Sequence, residues 1–196
     1  MGGTCNCVID TSNNNTLMFS RDRDREAGSF SNKNEKLKNI NYSSINDQQY
    51  KEISKEFFKI LNNIRINPDK YIRDSKDHSL LEIFIKLKKG TELVYSENNN
   101  TNITKYLVDS HFEGKSIVEQ ENELKSLIND GNINDISLFQ ISLQSNDTRE
   151  NVWNFLLENE DDLGKIFSDE YSHLMIICFP LENNKIIFTN LIFYKV

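Results

Sequence analysis

Five stretches of the chain space their apolar residues three or four apart, which is typical of helices that bury one face. The first covers residues 47–67, and Pro68 is expected to limit it. A second, shorter helix is predicted to begin at Ser79, because Glu82 three residues later completes a capping-box pattern, and to close at Gly90. The apolar positions of these two helices are Tyr50, Ile53, Phe57, Ile60, Leu61 and Ile64, followed by Leu80, Leu81, Phe84 and Leu87.

Three further helices are predicted in the middle of the chain. Two of them follow the same start signal, Ser116 with Glu119 and Asp147 with Glu150, and Gly131 is expected to end the first of this pair. Each pattern combines a polar cap with an apolar face, so each helix is expected to pack against a core. Their apolar positions are Ile103, Tyr106 and Leu107; then Val118, Leu124, Leu127 and Ile128; and finally Val152, Trp153, Leu156 and Leu157.

The last quarter of the chain has the composition of strands. Residues 171–179 and 185–195 are rich in Ile, Phe and Tyr, and the intervening residues 180–184 read as a turn, so the two segments are predicted to form an antiparallel hairpin. A third strand is predicted near Ile136–Leu143. Helices followed by a small, mostly antiparallel sheet that ends in a C-terminal hairpin give an α+β fold class.

The N-terminal part has a different character. Residues 1–45 are rich in Asn, Ser and charged residues and show no apolar periodicity, which predicts a flexible tether ahead of one folded domain, residues 46–196. The tether carries a net charge of +1 and the domain −8. Because phosphate contacts need clustered Lys and Arg, no nucleic-acid partner is expected. No secretory signal or run of about 18 apolar residues occurs, so a cytosolic location is expected.

The first seven residues, Met-Gly-Gly-Thr-Cys-Asn-Cys, carry the clearest functional motif. Removal of the initiator Met exposes Gly2 for N-myristoylation, although the usual pattern has Ser or Thr where this chain has Asn6. Cys5 and Cys7 beside such a glycine are typical S-palmitoylation sites. One myristoyl chain binds a membrane only marginally and a second makes attachment stable, so Gly2 with either cysteine would suffice. The alternative is that Gly2 is incidental and that both cysteines are free thiols or chance metal ligands.

The folded part offers no clear catalytic or metal motif. Gly114-Lys115-Ser116 ends like a phosphate-binding loop, but that loop requires a further glycine where Asp109 stands, so a helix cap is predicted instead. His78, His111 and His173 lack the spacing that places two metal ligands on one helix face, and no metal or other cofactor is expected. His173 alternates with apolar residues, which predicts a structural histidine on a strand.

Three other features are also interpreted as structural. Cys178 lies in an apolar run without a nearby base, so its thiol is expected to be protonated and inert. Trp153 is expected to anchor a core. The acidic run Glu158, Glu160, Asp161 and Asp162 is interpreted as a solvated surface, although it is also where a hydrolase would have to find its acid group.

Residues 56–72 resemble the first helix of CAP (SCP/PR-1-like) domains of protists and bacteria, which ends in N-x-x-R-x-N-P followed by a short aromatic segment. Here those positions are Asn62, Arg65, Asn67 and Pro68. Residues 148–157 are similar to the late helix of that family, and the closing hairpin stands where its final strands belong. The resemblance implies a CAP-like α/β/α sandwich over residues 47–196.

The same resemblance implies a departure from the metal-binding members of the family. Their cavity holds two His and two Glu, but the corresponding segments here are residues 138–140, ending in Gln140, Leu156 in place of an acid, and residues 162–164 near the expected histidine. Only His111 could survive from the tetrad. A CAP-like domain without the metal site is therefore expected, in a family whose members bind lipids, sterols or proteins and include myristoylated cytoplasmic forms.

Together these features predict a non-enzymatic, lipid-anchored binding or scaffolding module on the cytoplasmic face of a membrane, with the plasma and ciliary membranes as candidates. Its partner would be a protein or lipid, in addition to the membrane that the acyl chains on Gly2, Cys5 and Cys7 enter. The alternatives are a structural component of a cytoskeletal or ciliary assembly and a hydrolase that uses acids of residues 158–162.

Overall fold

The computed structural model of the 196-residue chain describes residues 48–74, 77–97, 101–128, 133–143, 147–181 and 186–196. The predicted tether, residues 1–45, lies outside the described residues. Among the described residues the fold is mixed α+β, with seven α-helices and one four-stranded mixed sheet.

The first helix forms where the apolar spacing predicts it. Helix α1 spans Gln48–Ile66, and Phe57, Leu61 and Ile64 on its inner face are fully buried. Arg65, four residues after Leu61, lies on the same buried face with 1% of its side chain exposed. A charged side chain in an apolar stripe needs hydrogen-bond partners, and they define the site described below.

The second predicted helix is real, but its ends differ from the prediction. A short helix, α2, fills Pro68–Asp74, because proline fits the first turn of a helix as well as it ends the preceding one. Helix α3 then spans His78–Lys86 and is capped by Asp77, whose carboxylate accepts hydrogen bonds from two backbone N–H groups. The predictions of a capping box at Ser79 and of a helix end at Gly90 are therefore wrong, since the helix ends at Lys86.

The third and fourth predicted helices are both present, and the fourth begins at its predicted cap. Helix α4 spans Thr101–Glu113 and helix α5 spans Ile117–Leu127. The Ser116 hydroxyl accepts a hydrogen bond from the Glu119 N–H at 3.3 Å, and the Glu119 carboxylate accepts one from the Ser116 N–H at 2.9 Å, which confirms the capping box. Gly114, at a φ of 70°, makes the turn between the helices.

The fifth helix is extended by two short elements that the apolar pattern did not predict. Helix α6 spans Thr148–Glu158, and Asp147 caps it through the Arg149 N–H at 2.8 Å. A single 3₁₀ turn, Glu160–Asp162, leads directly into helix α7, Leu163–Ile166. The acidic run therefore forms the link between two helices.

The sheet confirms the predicted hairpin and third strand and adds one strand. Strands β1 (Val94–Ser96), β2 (Asp135–Leu143), β3 (His173–Leu181) and β4 (Ile186–Lys195) are ordered β1-β3-β4-β2. The β3–β4 and β4–β2 pairs are antiparallel, as predicted, whereas β1 pairs with β3 in parallel. The predicted turn at residues 180–184 begins too early, because Pro180 and Leu181 still belong to β3.

The two central strands explain the long apolar runs near the C-terminus. Strands β3 and β4 have neighbours on both sides and helices over both faces, so nearly every side chain along them is buried. One cluster, on the first face, joins α1, α3, α6 and α7 to the sheet; the other, on the second face, joins α4 and α5 to it. Leu191 and Phe193 point into the first cluster, and Ile192 and Tyr194 into the second.

No helix in the described part of the chain is both long and apolar enough to cross a membrane.

Candidate functional site

The predicted acylation sites Gly2, Cys5 and Cys7 lie outside the described residues. The described residues belong to the folded domain. Three places in it combine polar groups with burial or exposed charge: the surroundings of Arg65, an amide cluster on the second face of the sheet, and a group of lysines near the C-terminal end of α1.

The guanidinium group of Arg65 ties α1 to two loops. Its Nε donates to the carbonyl oxygen of Thr91 at 2.5 Å, Nη1 donates to that of Ile166 at 3.0 Å, and Nη2 donates to that of Ser168 at 2.5 Å. Nη2 also lies 3.5 Å from the Asp169 carboxylate. Burial lowers the pKa of Arg65, and the charge of Asp169 opposes that shift. The side chain therefore stays charged and satisfies carbonyl groups that would otherwise lack donors.

Gly90 and Asp169 complete this arrangement. The N–H of Gly90 donates to the Arg65 carbonyl at 2.9 Å, and a Cβ at Gly90 would lie 3.1 Å from the Arg65 Cγ atom. The Asp169 carboxylate accepts hydrogen bonds from the Thr91 N–H at 2.7 Å and the Thr91 hydroxyl at 3.0 Å, which together lower its pKa. We call Arg65, Gly90, Thr91 and Asp169 the arginine clamp.

Asn62 holds the same loop one helical turn earlier. Its side-chain oxygen accepts a hydrogen bond from the Leu93 N–H at 3.0 Å, and Leu93 immediately precedes β1. Asn62 and Arg65 are the first two residues of the N-x-x-R-x-N-P motif. In this chain both fasten the segment that leads into the edge strand β1, so their geometry indicates a structural role rather than a catalytic one.

Gln140 and Leu156, the two positions that the CAP resemblance aligns with metal-binding acids, lie on opposite faces of the sheet. Gln140 lies on the second face, where its Nε2 donates to the Asn190 side chain at 2.9 Å and to the Gln120 side chain at 3.1 Å. Leu156 is fully buried on the first face. His111 packs on the Phe188 ring, with centroids 4.3 Å apart, and burial lowers its pKa.

The amide cluster on the second face consists of Gln120, Gln140 and Asn190, and its chemistry is limited. In the described ranges no group of three or more His, Cys, Asp and Glu side chains could hold a metal ion. Gln120, Gln140 and Asn190 are amides, which neither titrate near neutral pH nor act as nucleophiles. Gln120 also donates to the Lys115 carbonyl at 2.9 Å, so the cluster joins the start of α5 to the centre of the sheet.

Residues that the sequence identified as structural have structural contacts. Ser116 caps α5, and the Lys115 Nζ pairs with the Glu123 carboxylate at 3.1 Å, so the Gly-Lys-Ser segment is a helix cap as predicted. His173 stacks on Tyr194, and its Nδ1 lies 2.9 Å from the Ser172 hydroxyl, which confirms a structural histidine on a strand.

Two more of these predictions concern the first-face core. Cys178 is buried, and the hydroxyl groups of Ser54 and Thr189 donate to its Sγ at 3.3 Å and 3.2 Å. Burial raises the pKa of this thiol, so it is protonated at neutral pH, as predicted. Trp153 is half-buried and meets the rings of Tyr71 and Phe84 edge to face, which confirms it as a core contact.

The acidic run lies at the surface. The Glu160 carboxylate pairs with the Lys86 Nζ at 2.7 Å, and both side chains are about half exposed. Glu158 is exposed, although partial loss of solvation raises the pKa of its carboxyl group. The ion pair between Glu160 and Lys86 agrees with the interpretation of this run as a solvated surface.

The last feature is a basic surface that the sequence did not single out. A shallow depression of about 470 Å³ lies at the junction of α1 and α2, and Lys70 and Lys89 both line it together with Asp69. Lys88 is exposed beside Lys89, and Ile85, 62% exposed, precedes both on the same segment. We call Lys70, Lys88 and Lys89 the lysine patch.

Comparison of the chain with protein-family models, with curated proteins and with solved structures gives no match.

Proposed function

We propose that this chain is a non-enzymatic binding or scaffolding module, held on the cytoplasmic face of a membrane by a myristoyl group on Gly2 and palmitoyl groups on Cys5 and Cys7. The observation that carries the proposal is the adjacency of these three residues at the N-terminus. A single myristoyl chain has a membrane association constant of about 10⁴ M⁻¹, so the cysteines are what would make attachment stable.

The proposed fold of the folded part is a CAP-like α/β/α sandwich that has lost the metal site. Helices on both faces of the mixed sheet support the sandwich, and the positions of Asn62 and Arg65 at the end of α1 support the family resemblance. A scaffold with these properties suits binding of a lipid or protein partner rather than catalysis.

The anchor is tested by substitution in the native cell. In the Gly2→Ala variant the amine acceptor is still present but the acyltransferase requires glycine, so the protein should move from the membrane to the soluble fraction. The variant with both Cys5→Ser and Cys7→Ser should keep the myristoyl group and bind only weakly. Gly3→Ala is the matched control and should stay on the membrane.

The same fractionation separates the proposal from a cytoskeletal or ciliary assembly. A lipid-anchored protein enters the detergent-soluble fraction when the membrane is dissolved, because its acyl chains move into micelles. A component of an assembly sediments with the insoluble fraction. Membrane association that is unchanged in the Gly2→Ala variant would refute the anchor.

A further inference from the structure

We infer that the side chains of Glu121 and Asp135 close the outer edge of strand β2 against pairing with a second copy of this chain. In the described part of the chain the sheet has two edges, because its strands are ordered β1-β3-β4-β2. Strand β1 has three residues, whereas β2 has nine. A long edge strand offers a row of N–H and C=O groups to another strand, and a short one offers little. The edge that needs protection is therefore β2.

Two carboxylates occupy N–H groups on the outer edge of β2. The Leu138 N–H donates to the Glu121 carboxylate at 2.9 Å, and the Ile136 N–H donates to the Asp135 carboxylate at 2.9 Å. Both N–H groups therefore point away from β4, the strand with which β2 pairs. Because alternate residues of a strand point their N–H groups the same way, those at positions 140 and 142 also face outward. Neither of these two N–H groups has an acceptor among the described residues.

Helix α5 holds Glu121 in place at this edge. Leu124 of α5 packs into the second-face core, which sets the helix beside β2. The side chain of Gln120, the preceding residue, accepts a hydrogen bond from the Gln140 side chain at 3.1 Å, so two consecutive residues of α5 are fastened to β2. Glu121 is half-buried and forms no ion pair with a residue that the structure describes. The Leu138 N–H offsets the partial loss of solvation of its carboxylate.

The composition of β2 favours a second copy of the chain as the strand that would add to this edge. Residues 136–143 contain no charged residue, proline or glycine, and five of the eight are Ile, Leu or Phe. Exposed segments of this kind pair with copies of themselves, and β2 carries no charge there that would select an oppositely charged strand. An antiparallel pair centred on Ile141 places Gln140 of one copy opposite Ser142 of the other. Each copy then donates both of its outward N–H groups to the other.

Glu121 and Asp135 prevent this pairing from spreading along the strand. Extension past Gln140 would need the N–H groups of Leu138 and Ile136, which the two carboxylates already hold. It would also bring the carboxylates against the carbonyl oxygens of the incoming strand, which repel them. Pairing over the remaining few residues is marginal in water. The wild-type chain should therefore be monomeric, and removal of both carboxylates should open the edge to a second copy.

The test measures the mass of the full-length, unacylated chain in solution by size-exclusion chromatography with light scattering. Protein concentration is varied over about a hundredfold range, because association follows mass action. The wild-type chain is expected to keep the monomer mass of 22.9 kDa. The double variant with Glu121→Ala and Asp135→Ala is expected to move towards twice that mass as concentration rises. The acyl anchor plays no part in this measurement, so its result is independent of the proposed function.

Two matched double variants separate the hydrogen bonds from the change in charge. Asp161→Ala with Glu170→Ala removes the same charge at exposed positions away from β2 and should stay monomeric. Glu121→Gln with Asp135→Asn keeps side-chain oxygens that can accept from the same N–H groups and should also stay monomeric. An alanine variant of Glu121 and Asp135 that is monomeric at every concentration would overturn the inference. Association of the wild type or of either matched variant as strong as that of the alanine variant would also overturn it.

Amide hydrogen exchange followed by NMR locates the pairing. In the wild type the Leu138 N–H should exchange at least about tenfold more slowly than the Ser142 N–H, because only Leu138 has an acceptor. In the alanine variant, protection of Gln140 and Ser142 should appear as concentration rises. Adding Ser142→Pro removes an outward N–H that β4 does not use and should restore the monomer, and Ser142→Lys tests the same edge if proline disturbs the fold. Protection confined to another surface, or association that survives both changes at Ser142, would overturn the inference.

Discussion

Replacing Arg65 by Met should be among the most destabilising single changes in the domain. Methionine keeps most of the side-chain length but removes every donor of the guanidinium group. The carbonyl groups of Thr91, Ile166 and Ser168 then lose their partners in a site that is buried at Ile166 and partly buried at the other two. Each hydrogen bond to a charged group is worth about 1.5–3 kcal/mol, and the cost of burying the charge is recovered, so the net loss should be about 3–5 kcal/mol.

That loss is large compared with the total stability of about 5–15 kcal/mol that is usual for a domain. The assay is urea unfolding of the full-length chain at low temperature, followed by the fluorescence of Trp153, the single tryptophan. The matched control is Arg149→Met on α6, whose side chain is exposed and whose loss should cost less than about 0.5 kcal/mol.

Gly90→Ala tests the same clamp from the opposite side. The added Cβ would lie 3.1 Å from the Arg65 Cγ atom. Because this contact is shorter than ordinary van der Waals packing, Gly90→Ala should lower the free energy of unfolding by about 1–2 kcal/mol. In the Arg65→Ala background that atom is gone, so the cost of Gly90→Ala should disappear. If Arg65→Met costs no more than Arg149→Met, or if the Gly90→Ala cost is the same in both backgrounds, the clamp does not stabilise the domain as argued.

Three further predictions concern other elements. Ser116→Ala should cost about 1 kcal/mol in the urea assay, because it removes the α5 cap, whereas Ser79→Ala should cost less, since Asp77 caps α3. Burial lowers the pKa of His111 in the folded state, so the unfolded chain binds this proton more readily, and stability should fall as pH drops through the unfolded value of about 6.5; His111→Gln should flatten that dependence between pH 7.5 and 5.5. Cys178 should resist iodoacetamide in the folded protein and react in urea, as peptide mass spectrometry would show, and equal labelling in both conditions would contradict its burial.

Most long elements of the fold could be predicted from the sequence because local pattern determines them. Helix α1, the capping box of α5 and the C-terminal hairpin each have an apolar period and a boundary residue that agree. Strand β1 has neither. Its three residues become a strand only by pairing with β3, about 80 positions later in the chain, and such a contact leaves no local signal.

The errors at α3 have a similar explanation. Asp77 and Ser79 are both good capping residues, and only the direction of the Asp77 carboxylate, which accepts from two N–H groups, decides between them. Gly90 looked like a helix stop because glycine is common there. Its actual requirement is space, since the Arg65 side chain lies against it.

The sequence analysis did not predict the buried polar residues, although their positions inside apolar patterns pointed to burial. Arg65 stands four residues after Leu61, inside the apolar stripe of α1, and Asn190 interrupts the apolar run of β4. A polar residue at a core position must be satisfied by other polar groups, so both positions predict a buried network. The sequence pattern cannot identify the partners, because Ser168 and Gln140 come from distant elements.

The central claim is the lipid anchor, and the most direct test is intact mass spectrometry of the protein purified from its native cell, with and without hydroxylamine. Hydroxylamine cleaves thioesters and leaves an amide-linked myristoyl group in place. The account predicts a hydroxylamine-resistant myristoyl mass on Gly2 and hydroxylamine-sensitive acyl masses on Cys5 or Cys7. An unmodified N-terminus would contradict it and would favour a role in a larger assembly without a lipid anchor.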